Sequence, residues 1–537
     1  MTFRGSGGLE LHGSVISPPA SAISSSSAGS AAQSGGTGRA AGQGRDDLAG
    51  VGASGGGGRA GVVLVHGAGT GTSREKLLGE AVAFARQGLT VLIYDKRSVD
   101  YSLFHRSYAQ LADDALGAVA TLRKEPGVDP GKVGIWGLSE GGWVAPLAAS
   151  KSKDIAFVVV VGANALQPLR QQTWAVAAGL RKAGVGGSLV EHAEPKLYRV
   201  IADGDMFPEP YYDPEPVLAA VRQPVLAIWG VHDLLTPPRE TPPIFRAALE
   251  KGGNRRYTFR FFEKADHAAH VTPDGGVTRL PELAPGYAEL VGGWVAKATS
   301  GRAPVAEVSG PAPVQAEDSV GTPPPAWWES AFAQTAVLAL FLAGFAGYPA
   351  VAVVRRIRGR RATRPTPTKE TTAAQATPTN EARGVRGTPT AETAAVRSTP
   401  AKGTAAVRST PAKEAAAVRA TPARETAAVR GTSAKGTAAA RVVSAGGLVA
   451  ALGGFAYLFY LMSTGGKLAA PGPMLLGRPL VWLALQAVAV ATVVATALAA
   501  RTWRRERATG ERVRLGLLVA AGVAFVPWAF YWGLLLP

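Results

Sequence analysis

The chain has 537 residues, 66 of them glycine and 38 proline, and 47% apolar residues, a mixture too long and too uneven for one ordinary domain. Its formal charge is +18, but residues 1–300 hold 30 basic against 28 acidic side chains, so +16 of the excess falls in the remainder, beside apolar segments. That distribution argues against a nucleic-acid partner for the N-terminal part. The absence of cysteine excludes disulfides, cysteine metal sites and thiol nucleophiles.

Thr2 to Ile16 predicts an antiparallel strand pair turning near Gly5 to Gly8. Residues 17–60 are rich in Gly, Ser and Ala and cannot bury a core, so they read as a low-complexity insertion. A buried strand at Gly61 to Val65 then opens a series of strands: Thr90 to Tyr94, Val133 to Trp136, Ile155 to Val161, Val225 to Trp229 and Tyr257 to Phe262. Helical stretches such as Lys76 to Gln87 and Tyr108 to Lys124 separate them. Short β-rich runs alternating with helices imply right-handed crossovers and a mostly parallel sheet, an α/β fold over residues 1–300. Residues 164–222 interrupt the rhythm with mixed-charge helical sequence and are expected to form a cap over the C-terminal edge of the sheet. Residues 301–330, with their Pro, Ala and Val, read as a linker.

Four apolar segments follow, at 331–354, 442–462, 479–500 and 515–537, each near the roughly 20 residues a helix needs to cross a bilayer. Trp327, Trp328, Trp482, Trp503 and Trp532 lie near their ends, where indoles settle at headgroup level. Residues 355–441 form a basic loop with an eleven-residue repeat, TAAVRSTPAKG and TAAVRSTPAKE, whose recurring Thr-Pro argues for disorder. Arginines at 355, 356, 358, 360 and 361, and again at 501, 504, 505, 507, 512 and 514, fall on one side of the membrane under an odd-even count. The positive-inside rule puts them in the cytoplasm and residues 1–326 outside a plasma membrane that the chain crosses several times. The opening MTFRGSGGLE carries no basic and apolar leader, so Met1 is expected to be an internal start.

Gly137-Leu138-Ser139-Glu140-Gly141 follows the apolar run Val133 to Trp136 and precedes a helix-compatible stretch. That context makes it a candidate nucleophile elbow, in which flanking glycines let a strand turn sharply into a helix with the serine exposed. An acyl-transfer serine also needs a base, an acid that orients the base, and donors for the oxyanion. Asp233 follows the strand Val225 to Trp229, and His267 follows the strand Tyr257 to Phe262. Loops at the C-terminal ends of parallel strands can bring such distant residues together. His66-Gly67-Ala68-Gly69 follows the first buried strand, and the amides of Ala68, Gly69 and Glu140 are the candidate oxyanion donors.

The stretches VLVHGAG, VLIYDKRSVDYS, VGIWGLSEGGWVAPLAA, PVLAIWGVHDLLTPP and FFEKADH, in that order, resemble the α/β-hydrolase superfamily, near bacterial carboxylesterases and prolyl-aminopeptidase-like serine hydrolases. The resemblance covers residues 2–298 and implies a Ser139, Asp233, His267 triad acting through an acyl-enzyme on a small-molecule acyl ester, with no cofactor and no metal. It departs at Ser98-Val99-Asp100, where relatives usually have glycine. A serine aminopeptidase, a thioesterase or acyltransferase, and a membrane sensor that has lost activity remain alternatives.

Other readings compete at single residues. Asp233 could cap a helix, Asp266 could replace it as the acid, and His270 could replace His267 as the base. His66 and Asp95 are expected to be structural, and His12, His105, His192 and His232 show no metal-ligand spacing. Glu191, Glu194, Glu209 and Glu215 in the cap are expected to lie on a solvated face, with recognition of a substrate ammonium as the alternative.

Overall fold

A computed structural model describes residues 1–19, 58–302, 304–362 and 424–537. Most of the 17–60 insertion and the repeat-bearing part of the 355–441 loop lie outside these residues. Two compact units result: Met1–Tyr348 with Ala439–Pro537, and Pro349–Ala438. In the second unit the described residues are helical, as parts of Gly347–Ala362 and Arg424–Ser463.

The first unit is built on a nine-stranded sheet. In chain order its strands are β1 (Thr2–Arg4), β2 (Glu10–Ile16), β3 (Arg59–Val65), β4 (Thr90–Tyr94), β5 (Val128–Leu138), β6 (Val158–Val161), β7 (Val225–Gly230), β8 (Tyr257–Phe262) and β9 (Glu307–Ser309). In space they run β1-β2-β4-β3-β5-β6-β7-β8-β9, with β3 to β9 parallel and the β1–β2 pair antiparallel at one edge. The α/β-hydrolase fold expected from the sequence is therefore present. Strand order reverses around β3, and loops at the C-terminal ends of β3 and β5 flank the crevice this opens, where open α/β sheets bind ligands.

The central strands are continuous apolar runs because both faces of the sheet are covered. Val63 and Val65 pack on one face with α2 (Tyr108–Leu122) and α3 (Gly141–Lys151), while Val62 and Leu64 pack on the other with α1 (Leu78–Arg86) and α8 (Tyr287–Thr299). Two indoles within the sheet are satisfied: Trp136 donates to the Tyr287 hydroxyl at 3.0 Å and Trp229 to the Ala163 carbonyl at 2.9 Å.

Between β6 and β7 the chain forms α4 (Pro168–Lys182), a π-helical turn (Leu189–Ala193), α5 (Glu194–Asp203) and α6 (Glu215–Ala220), and α7 (Thr241–Lys251) follows between β7 and β8. The segment rests on the loops that carry Asp233 and His267. Gln171 donates to the Leu235 carbonyl, and Lys182 donates to the Asp274 carbonyl at 3.1 Å.

Among the described residues, four helices are long and apolar enough to cross a membrane: Ala331–Arg358, Ala438–Ser463, Leu480–Arg505 and Thr509–Tyr531. The first, begun as α9 (Ala331–Phe341), is interrupted by a π-helical turn at Leu342–Ala346. Gln334 is buried in it, its carbonyl accepting from the indoles of Trp528 and Trp532 at 3.1 Å each. These helices and the cap do not form separate cores. Val176 and Leu180 of α4 and Leu189 belong to one apolar cluster with Trp482, Trp532 and Leu534. Polar contacts reinforce the junction: Trp482 and Gln486 donate to the Ser188 hydroxyl at 3.3 and 3.2 Å, and Lys196 to the Tyr531 carbonyl at 2.5 Å.

The expected linker is a strap. Its start forms β9, and Glu240 then accepts from Gln315 at 2.6 Å, from the amide and hydroxyl of Ser319 at 2.8 and 2.7 Å, and from Arg170 at 3.1 Å. Arg199 pairs with Glu329 at 2.8 Å where the strap meets the first membrane-type helix. Glu240→Ala would leave these donors without their acceptor and cost about 2 kcal/mol. The expected outcome is new proteolytic cleavage between residues 304 and 326, with a lowered unfolding midpoint, in the detergent-solubilised protein.

Candidate active site

Ser139 sits where β5 turns into α3, at φ 56, a left-handed conformation that L side chains seldom adopt. Its amide donates to the Val161 carbonyl at 2.9 Å and its carbonyl accepts from Gly142 at 2.7 Å, so the turn is held from both sides. Glycine at 137 and 141 is a steric requirement. A β-carbon on Gly137 would run into the Gly141 carbonyl oxygen, and one on Gly141 would lie 2.7 Å from the Val65 carbonyl oxygen.

The structure brings Asp233 and His267 together at the ends of β7 and β8. Nδ1 of His267 lies 3.0 and 2.9 Å from the two Asp233 oxygens, and both residues are buried. Asp233 also accepts from the amides of Leu235 and Thr236 at 2.8 and 2.9 Å and from the Thr236 hydroxyl at 2.6 Å. Turn capping and imidazole binding, alternatives in the sequence, are thus performed by the same carboxylate. The other imidazole nitrogen, Nε2, is buried with no hydrogen-bond partner among the described residues. Gly162, at φ 54, leaves room for the ring: a β-carbon there would lie 2.6 Å from Nδ1.

The competing residues are engaged elsewhere. Asp266 accepts from the amides of Ala268 and His270 and pairs with Arg279 at 2.5 Å. His270 lies between Glu80 at 3.2 Å and the Leu280 carbonyl at 3.0 Å. Asp95 binds the amide and guanidinium of Arg74 at 2.8 and 2.5 Å. Of the four cap glutamates, Glu191 and Glu215 are exposed, but Glu209 is half-buried and accepts from the Tyr108 amide at 2.8 Å. Glu194 is buried, its oxygens unpartnered among the described residues, and burial drives its carboxyl well above the usual range. A solvated face describes only two of the four.

Around the candidate oxyanion site the amides differ in use. Gly69 donates to the Tyr101 hydroxyl at 3.3 Å, while Ala68 and Glu140 have no amide partner among the described residues. The Glu140 side chain anchors a buried network that was not anticipated. It accepts from Lys96, from Arg106 at 2.7 Å and from Tyr101 at 2.9 Å, and Lys96 also donates to the Gly67 carbonyl at 2.7 Å. Burial alone would raise the Glu140 carboxyl, but Lys96 and Arg106 outweigh it and hold the group below the usual carboxylate range. One ammonium thereby ties the turn after β3 to the turn after β5. The available signal was Lys96-Arg97, separated by one residue from the fully buried strand Thr90–Tyr94, a place where a buried cation must be paired. Asp100, in the Ser98-Val99-Asp100 stretch of the same loop, takes φ 54.

The strand order, the elbow after β5 and the loops after β7 and β8 are those of an α/β-hydrolase fold. Residues 103–280 match the model of the prolyl oligopeptidase family. The chain is similar to a polyketide transferase of Penicillium crustosum, 38% identical over 86 residues, which is 15% of this chain and 28% of that protein. It is also similar to a thiohydrolase of Aspergillus aculeatus, 33% identical over 87 residues, 15% of this chain and 27% of the relative. The matches thus span little more than a quarter of these relatives. Among solved structures, an acylaminoacyl peptidase of Pyrococcus horikoshii aligns with a TM-score of 0.33 at 18% identity, covering 50% of this chain and 37% of that one. A puromycin-hydrolysing peptidase of Mycobacterium tuberculosis aligns with a TM-score of 0.35 at 19% identity, covering 58% and 40%.

His66, buried behind the turn with Nε2 2.8 Å from the Tyr94 carbonyl, offers a test of this packing. Burial lowers its pKa from the ordinary 6.5 to about 4, so the fold holds the neutral ring. A depressed value means stability is complete above pH 6.5 and is lost as pH falls towards 4, by about 3 kcal/mol. Thermal unfolding followed from pH 7 to 4 should show this loss, and His66→Gln should flatten that part of the profile.

Proposed function

We propose that the chain is a serine hydrolase that cleaves carboxylic esters through an acyl-enzyme on Ser139. The observation that carries this reading is the His267 ring, fixed by Asp233 through Nδ1 and presenting an unpartnered Nε2 in a fold whose strained elbow displays Ser139. His267 Nε2 takes the Ser139 proton as Oγ attacks the carbonyl carbon, and Asp233 stabilises the imidazolium. The oxyanion is received by the amides of Ala68 and Glu140, since the Gly69 amide is directed at Tyr101. His267 then protonates the departing alkoxide. Water, deprotonated by the same ring, attacks the acyl-enzyme, releasing the acid and restoring Ser139. No residue outside the chain is required for these proton transfers.

The match to the prolyl oligopeptidase family supports a second reading, amide hydrolysis by the same residues. Comparing turnover of short esters with that of aminoacyl amides separates the two.

We also place the α/β portion outside the cytoplasm. The helix Leu480–Arg505 starts beside Ser188 of the cap and ends at Arg504 and Arg505, roughly 37 Å away at helical rise. Arg507, Arg512 and Arg514 lie in the sequence around the following turn, so the cap sits at the end opposite these arginines.

A fluorophosphonate probe should label the wild-type protein in membranes and fail to label Ser139→Ala; an unlabelled, folded wild type would overturn the mechanism. A membrane-impermeant version should label intact cells if the orientation is right, and only broken cells if it is reversed. Asp233→Asn should lower turnover by about 10³- to 10⁴-fold. Lys96→Met, which unties the Gly67 carbonyl from Glu140, should lower kcat by about 10- to 100-fold with little change in KM, the mark of a displaced oxyanion donor.

A further inference from the structure

The α4 helix separates the catalytic loops from the bundle. Along one side Gln171 and Lys182 contact the loops that follow Asp233 and His267. Along the other, Val176 and Leu180 lie in the apolar cluster that contains Trp482, Trp532 and Leu534. A single helix layer, roughly 10 Å thick, therefore stands between these loops and the end of the membrane-type bundle.

That end carries apolar side chains with no protein cover. Trp327 and Phe332 at the start of the first membrane-type helix are 83% and 85% exposed, and Leu476, at the tip of the turn between Met474 and Pro479, is 92% exposed. Gly477 in that turn accepts from the cap amide of Gly186 at 2.9 Å, so turn and cap are adjacent. Singly such residues need no explanation, but a tryptophan, a phenylalanine and a leucine at the end of apolar helices mark the interfacial layer of a bilayer. In a bilayer crossed by these helices the cap would be at headgroup depth.

The loop after β4 also carries exposed apolar side chains. Tyr101 reaches both Glu140 and the Gly69 amide, and in the same loop Leu103 and Phe104 are 69% and 59% exposed. An acyl chain lying across this loop would have its carboxyl end beside the candidate oxyanion amides.

We propose that the substrate is a long-chain acyl ester of a membrane lipid, which reaches the site from the bilayer and is held along Leu103 and Phe104. This rests on the reading of Ser139 as the nucleophile. Oγ of Ser139 forms the new ester bond to the acyl carbon, the lipid C–O bond breaks, and its alkoxide takes the proton from His267. Water then attacks the acyl carbon and gives a proton to the ring, which passes it to Ser139 Oγ as the bond to the acyl carbon breaks, and the released fatty acid ionises into solvent.

The test uses the full chain reconstituted in phosphatidylcholine vesicles containing 1-oleoylglycerol, with p-nitrophenyl acetate as a water-soluble reference and fluorophosphonate labelling as the measure of an active serine. Oleate release is expected, with kcat/KM at least about tenfold above that for 1-butyrylglycerol, as burial of extra methylenes implies. Replacing both Leu103 and Phe104 by Glu should lower the oleate-to-acetate ratio at least about tenfold in protein that still labels. Protein that labels and turns over the acetate but shows no preference for the oleoyl ester overturns the lipid proposal and leaves the serine mechanism standing. Equal ratios in wild type and the double variant overturn the assigned path. Wild-type protein that does not label overturns the nucleophile assignment, and the lipid proposal with it.

Discussion

The geometry of the site depends on one strained residue. A serine at φ 56 persists only because its surroundings leave it no alternative: β6 holds its amide, α3 begins under its carbonyl, and the glycines on either side admit the backbones that cross there. The strain is local, of order 1–3 kcal/mol, while the packing that enforces it is the core of the sheet. Independently of the elbow, the ends of β7 and β8 bring an acid and an imidazole together. Their loops do so with short chain segments and several backbone hydrogen bonds each.

A second constraint is electrostatic. Two cations and a phenol converge on the Glu140 carboxylate, in a region where an unpaired charge would cost several kcal/mol. Completed as it is, the cluster joins three separate loops, and its Lys96 spans from the Glu140 side chain to the Gly67 carbonyl. Backbone amides aimed at a reacting oxygen are useful only if their spacing is constant, and a buried ion cluster is a stiffer spacer than apolar contact.

Most of the sheet was legible because buried parallel strands are written as runs of Val, Ile and Leu bounded by glycine, as at Val158–Val161 and Thr90–Tyr94. The ordering of Ser139, Asp233 and His267 was legible for the same reason, since each follows such a run. β9 was not: three residues, Glu307–Ser309, lie in a Pro-rich stretch with no alternation, and their pairing comes from the exposed side of β8. The strap's attachment was hidden because Arg170 and Glu240 stand far from Ser319 in sequence. Lys96, Tyr101 and Arg106 went unassigned because a charged residue after a strand reads equally well as a solvated loop. Glu194 and Glu209 were misjudged on the same general expectation, which fails wherever another layer covers the helix.

The sequence divides neatly near residue 300, between an α/β portion and apolar helices, but the physical boundary lies elsewhere. Val176, Leu180, Leu189 and Leu197 belong to the α/β portion by chain position and to the membrane-type bundle by packing. A fragment ending at that seam would present to water an apolar face that the whole chain never exposes, and it would lose the strap that pins Arg170 and Arg199. The cap is therefore better regarded as the uppermost layer of the bundle than as an ornament of the sheet. A free-standing α/β portion would need that face polar, so the helices and the cap surface can be altered only together.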